Sequence, residues 1–141
     1  EYNVRMGDPE CQVIMPRLKT DLVKLIIASI ENKLKKVKIE WRKEKCMTIV
    51  LCSKGYPDKQ IINKEINLSQ VSLTNRSFLF HAGTKIKNDS IFSNGGRVLN
   101  IVALGNSFFN IRNHIFEIIK KINWRYGFFR RDIGWRVIKK K

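Results

Sequence analysis

The chain opens on an alternation. Glu1, Asn3 and Arg5 fall on one side of a period of two, and Tyr2 and Val4 on the other, as in a half-buried strand. The pattern is under way at the first residue, so the chain is expected to start inside a strand. Gly7 breaks it. Asp8-Pro9-Glu10 then reads as a helix start, with Asp8 as N-cap, Pro9 at the first helical position and Glu10 in the first turn. A short helix through Cys11–Leu18 follows, disturbed by Pro16. Thr20 is placed to cap a second helix over residues 21–35. Its apolar positions Leu22, Val23, Leu25, Ile26, Ile27, Ile30 and Leu34 fit a wide stripe at helical spacing.

The pattern changes near residue 36. Lys38–Lys45 is charged and reads as an exposed strand with Trp41 turned inward. Met47–Ser53 is an apolar run of strand length, expected to be buried. Gly55-Tyr56-Pro57-Asp58 is a turn, and residues 59–76 are weakly patterned. Phe78–His81 reads as a strand. A hairpin turning at Asn88-Asp89 precedes Ile91-Phe92, and Asn94-Gly95-Gly96 makes a second sharp turn. Val98–Leu104 is a strand. Ser107–Ile122 is an amphipathic helix whose core face uses Phe108, Ile111, Ile115, Ile118, Ile119 and Ile122. The order predicts an α+β (α/β) chain in two parts: residues 1–37 as the end of one α/β domain, and residues 38–141 as a smaller mixed-sheet α+β domain.

Composition changes this picture little. A chain of 141 residues is one ordinary domain and a little more. No apolar run of about 18 residues suggests a membrane span. Cys11, Cys46 and Cys52 are odd in number and lack paired spacing, which argues against a disulfide framework or a zinc site and for reduced thiols in the cytoplasm. The net charge of +16 attracts polyanions in general. Its lysines are scattered, however, and the chain is rich in Ile and Asn, as an AT-rich coding bias would produce.

Candidate chemistry sits at the start. Glu1 and Asn3 place a carboxylate and an amide oxygen side by side on a strand, a pair suited to Mg²⁺. Arg5 follows on the same face as a fork for carboxylate or phosphate. A helix N-terminus, a natural anion site, opens next. A solvated polar strand face would give the same spacing, so spacing alone leaves both readings open.

The motifs go further. Glu1-Tyr2-Asn3-Val4-Arg5-Met6-Gly7-Asp8-Pro9-Glu10-Cys11-Gln12 resembles the signature of the phosphoribosylamine–glycine ligases, an ATP-grasp family. Met6 stands where Phe or Leu is usual and fills similar apolar space. Phe80-His81-Ala82-Gly83-Thr84-Lys85, Asn94-Gly95-Gly96-Arg97-Val98-Leu99, Ala103-Leu104-Gly105 and Phe129-Arg130-Arg131-Asp132-Ile133-Gly134 agree in order, so the resemblance spans the chain.

The resemblance implies the C-terminal end of an ATP-grasp domain followed by a small C-domain. It implies an ATP-dependent ligase that joins glycine to 5-phosphoribosylamine in purine synthesis. Glu1 and Asn3 match the metal (Mg²⁺ or Mn²⁺) ligands, and Arg5 and Asp8 match positions lining the substrate site. Asp8 also remains open as a simple N-cap. Gly95, Gly96 and Arg97, with Lys85, would hold the ribose 5-phosphate, or else form a plain turn. Arg130, in the Arg130-Arg131-Asp132 marker, contacts substrate or docks the tail. His81 and His114 read as structural or surface histidines. The N-terminal lobes that bind ATP are the implied partner, and the chain without them is expected to be inactive. The competing class is a basic nucleic-acid-binding module, with Trp124, Tyr126, Phe128, Phe129 and Trp135 stacking bases between arginines. Another ATP-grasp ligase, related to biotin carboxylase, would share the opening strand but not Gly7-Asp8-Pro9-Glu10.

Overall fold

The computed structural model describes residues 4–138. Its centre is a pair of long antiparallel strands, β1 (Lys45–Ser53) and the later Arg97–Gly105. Between them lie β2 (Glu65–Ile66), β3 (Ser77–His81), β4 (Thr84–Lys87) and β5 (Ser90–Ser93), which makes the second long strand β6. Residues Gly127–Phe128 form β7. One sheet has the order β3-β6-β1-β7 and the other β2-β5-β4. Every strand pairing among the described residues is antiparallel. The α+β expectation holds, and the mixture lies in helices and strands rather than in strand direction.

The central sheet is covered on both faces. Met47, Ile49 and Leu51 of β1 share a core with Ile111, Ile115 and Ile118 of a helix over Phe108–Lys120. The helix over Cys11–Arg17, α1, lies against the same two central strands. Cys46 lines a groove with Val13, Ile14 and Arg17 of α1. Cys46 and Met47 are consecutive and point to opposite faces, so α1 and the Phe108–Lys120 helix cover opposite sides. β6 is buried from Val98 to Leu104 because both layers press on it. This differs from the half-exposed alternation of an edge strand. The hairpin turn at Asn88-Asp89 is as expected: both residues have positive φ, 48° and 58°, as a two-residue hairpin with the right twist requires.

Three expectations are corrected. Residues 4 and 5 form a bend, because no neighbouring strand among the described residues supplies a ladder; Glu1 and Asn3 lie outside those residues. The region 38–44 is not a strand. It meets the end of α1 through an isolated bridge, Leu18 to Trp41, and through hydrogen bonds between Arg17 and Arg42, and Trp41 is 47 % exposed rather than turned inward, since no layer covers it. Thr20 does not cap the second helix, α2 (Leu22–Ile30). Its hydroxyl is engaged by the Glu40 N–H and the Lys38 carbonyl. Asp21 caps instead, accepting from the Val23 and Lys24 N–H groups. The helix stops at Ile30, Asn32 takes a positive φ of 56°, and residues 34–36 form a 3-10 turn.

The apolar stripe of α2 is on the outside. Val23 is 61 % and Ile30 76 % exposed, and Leu22, Ile26, Ile27 and Leu34 are exposed as well; within the helix only Ala28 is buried. The Phe108–Lys120 helix, α3, contrasts with it, because its stripe closes the core. Ile115→Ala should therefore cost about 2–5 kcal/mol through lost burial and a cavity. A denaturant titration checks this, and a loss below 1 kcal/mol would mean that α3 is not seated as described.

Candidate functional site

Strand parity and one irregularity place the key arginine. Leu51 pairs with Leu99, but the next residue, Cys52, pairs with Arg97, so Val98 is the extra residue of a bulge. Leu99, Ile101 and Ala103 sit opposite Leu51, Ile49 and Met47, on the α3 side. Unbroken alternation would send Arg97 to that apolar side too. The bulge re-aims it to the α1 side, beside Cys52.

Asp8 meets it there. Asp8 Oδ2 pairs with Arg97 Nη2 at 3.0 Å, and the Asp8 carbonyl accepts from Arg97 Nη1 at 3.3 Å. Asp8 Oδ1 accepts from Gln12 Nε2 at 3.0 Å. The N-cap expectation for Asp8 is thereby corrected. α1 begins at Cys11, Glu10 occupies the cap without a side-chain bond, and Asp8 is drawn instead to the cation on the same face of the sheet. Both partners of the pair are partly solvated, so it contributes only about 0–1 kcal/mol to stability. Its significance is geometric: it ties the opening signature to the turn that carries Gly95 and Gly96.

That turn is held from inside. Buried Ser53 donates its N–H to the Gly96 carbonyl at 2.8 Å and its hydroxyl to the Gly95 carbonyl at 2.7 Å. Among the described residues the N–H groups of Gly95 and Gly96 find no acceptor, which leaves two backbone donors next to the Arg97 fork. Close approach explains the glycines. A Cβ on Gly83 would lie 2.7 Å from the Arg97 carbonyl, and one on Gly96 would collide with the Tyr56 ring. Ser53, Tyr56 and Gln12 were missed as contributors. Gln12 was legible as a member of the signature, and a serine ending an apolar strand was the only sign of Ser53.

The other expected residues do not all converge. Arg5 makes only a local contact with the Met6 carbonyl, at 3.5 Å. Lys85 lines a separate groove on the β4–β5 hairpin with Lys87, Asn63 and Phe92. Arg130 is forked onto Asp132 at 3.1 and 2.6 Å, which raises the arginine pKa and lowers that of the carboxyl. His81 Nδ1 lies 3.1 Å from the Thr84 hydroxyl in the turn after β3, a structural role. Among the described residues no three His, Cys, Asp or Glu side chains converge on a metal-sized point. Some of the aromatics proposed to stack bases are otherwise engaged. Trp124 is 7 % exposed in the core, and Phe129 packs on Phe116 with ring centroids 5.6 Å apart. Tyr126 also packs against the core, while Phe128 at 39 % and Trp135 at 62 % stay exposed, so three of the five aromatics are withdrawn from the nucleic-acid reading.

Cys11, Cys46 and Cys52 are free thiols. Burial pushes Cys46 up to about 11, against the opposing charge of Arg17. Burial also raises Cys52, and Arg97 partly offsets it. Arg97→Ala should therefore raise the Cys52 pKa further and slow its alkylation at mildly alkaline pH severalfold. Peptide mapping by mass spectrometry reads this out; an unchanged rate would remove Arg97 from beside Cys52.

Residues 46–136 match the family model described as phosphoribosylglycinamide synthetase, C domain. The chain is 44 % identical over 139 residues to the phosphoribosylamine–glycine ligase of Agrobacterium fabrum, covering 98 % of this chain and 32 % of that protein. It is 39 % identical to the chloroplastic enzyme of the same name from Arabidopsis thaliana, over 100 % of this chain and 27 % of that one. The crystal structure of the Thermotoga maritima phosphoribosylamine–glycine ligase superposes with a TM-score of 0.69 at 30 % identity, over 94 % of this chain and 32 % of that one. The chain thus spans about a third of the length of the relatives it matches. No helix among the described residues is long and apolar enough to cross a membrane.

Proposed function

The chain belongs to the phosphoribosylglycinamide synthetase C-domain family, and from that premise we propose that it is the C-terminal part of a cytoplasmic, ATP-dependent ligase joining glycine to 5-phosphoribosylamine. Residues 1–37 are the end of the ATP-grasp domain and residues 38–141 the C-domain. The observation that carries this reading is the meeting of Asp8 with Arg97, which brings two separated motifs to one place.

In the reaction a glycine carboxylate oxygen takes the γ-phosphoryl group of ATP, releasing ADP and leaving an acyl phosphate. The amine of phosphoribosylamine then attacks the carbonyl carbon, phosphate departs, and the amine loses a proton. Negative charge gathers on phosphoryl oxygens in both stages, so cationic and N–H donors are what the protein must supply. Arg97 and the Gly95 and Gly96 N–H groups would hold the sugar phosphate. Lys85 and Arg130 are assigned to the wider substrate surface, and Arg5 to the glycine carboxylate or acyl phosphate. Asp8 serves this site through Arg97. Glu1 and Asn3 would hold Mg²⁺ or Mn²⁺, which neutralises phosphate charge when bound.

The exposed stripe of α2 is assigned to the upstream lobes. A nine-residue helix is not stable on its own, and its tertiary packing must come from elsewhere. Replacing both Ile26 and Ile30 by Asp should abolish association with the separately produced remaining two-thirds of the Agrobacterium enzyme, while the unsubstituted chain binds it. Equal binding by both would refute this docking face.

The activity is tested in a chimera in which this chain replaces the matching third of the Agrobacterium ligase. Glu1→Gln should cut turnover, with partial rescue by added Mg²⁺. Arg97→Ala should weaken phosphoribosylamine binding by about 1.5–3 kcal/mol, the scale of a lost charged hydrogen bond. Normal substrate binding by the Arg97 variant would overturn the cradle.

A further inference from the structure

Asp8 uses three atoms, and each has a direction. Its Oδ2 and its main-chain carbonyl face the two terminal nitrogens of Arg97, and its Oδ1 faces Gln12. The end-on edge of the guanidinium is therefore occupied. Its Nε–H and its outer N–H groups are not engaged by Asp8. A guanidinium gripped on one edge loses the freedom to swing and keeps a second edge for a bidentate oxyanion.

Gln12 fixes the grip. Its amide nitrogen is turned to Asp8, and its Oε1 is buried with no donor among the described residues. An unsatisfied buried acceptor is costly. The opposite amide orientation would set oxygen against oxygen at Asp8, so the arrangement favours the Asp8 contact over satisfaction of Oε1. Seen from the ligand, Asp8 is an unfavourable neighbour, since a carboxylate beside an anion site repels the anion. Stability does not explain its position either, because a partly solvated pair contributes little.

We propose that Asp8, locked by Gln12, is a positioning residue that holds the Arg97 fork end-on, so that its free edge and the Gly95 and Gly96 N–H groups converge on one sugar phosphate. This rests on the sugar-phosphate reading of Gly95, Gly96 and Arg97. Asp8 touches no reacting atom; it acts through Arg97.

Electrostatics and positioning predict opposite signs. Removing the Asp8 carboxylate takes a negative charge away from an anion site and should tighten binding if charge alone matters. If positioning matters, binding weakens. The test titrates the 141-residue chain with ribose 5-phosphate and follows the Gly95 and Gly96 amide signals and the Arg97 Nε–H signal by NMR. Asp8→Ala should weaken binding roughly tenfold and make the Arg97 Nε–H more mobile in nitrogen-15 relaxation, as a fork released from its grip would be, which a merely structural role would leave alone. Asp8→Asn keeps an acceptor oxygen and should recover part of the loss. Gln12→Ala should change binding in the same direction by a smaller factor. Arg97→Ala should abolish the response. If Arg97→Ala leaves binding intact, the sugar-phosphate cradle itself fails. If Arg97→Ala abolishes binding while Asp8→Ala tightens it or leaves it unchanged, the cradle stands and the positioning role of Asp8 is overturned. Preserved amide dispersion in each variant shows that the fold is retained.

Discussion

The ladder between β1 and β6 is the constraint from which the other elements take their places. Its register sets Ile49 against Ile101 and Leu51 against Leu99, and so decides which side chains face α3. β3 extends it on one side and β7 on the other. Because both faces are covered, a slip of one residue would exchange an apolar face for a face carrying Cys46, Thr48 and Asn100. The register is specified by burial on both sides rather than by a tight turn, since β1 and β6 are far apart in sequence.

The candidate site lies where that ladder ends. At Ser53 the strand stops donating to a partner strand and turns its N–H and hydroxyl to the Gly95 and Gly96 carbonyls. In a trans peptide the carbonyl of one residue and the N–H of the next point oppositely, so the inward Gly95 carbonyl turns the Gly96 N–H outward. A core residue with an ordinary structural task thus determines the polarity of the turn beside Arg97. Asp8 comes to the same place from the other end of the chain, so the site is built from two segments that are brought together only by folding.

Much of the architecture was legible because it follows local rules. The strands at 47–53 and 98–104, the α3 stripe and the Asn88-Asp89 turn all follow from periodicity and turn chemistry. What was not legible depends on partners distant in sequence. Asp8 reads as a cap because the sequence does not show that Arg97 will arrive. Thr20 reads as a cap because its engagement with residues 38–40 is tertiary. Trp41 was expected inside because a large aromatic in a charged segment usually finds a layer to lie under, and here it finds only a shallow groove beside α1. The β2 segment is two residues long, too short for any periodicity to register. For the site, the motifs marked Gly95, Gly96 and Arg97 correctly as neighbours of one turn. They could not show that Lys85 lines a different groove or that Arg130 is already forked onto Asp132.

The bulge at Val98 lets this strand carry one residue more than its partner without turning Arg97 to the other face. Parity upstream of it is offset by one step from parity downstream, so Arg97 keeps the α1 side only while the extra residue stays out of register. A change of side-chain type at Val98 alters local packing and leaves that phase intact. A single-codon deletion there would make Arg97 the direct neighbour of Leu99 and keep it opposite Cys52, whereas drawing Val98 into register without a deletion would turn the guanidinium to the hydrocarbon side of the sheet. The orientation of the cation thus depends on one residue remaining unpaired rather than on the length of the strand.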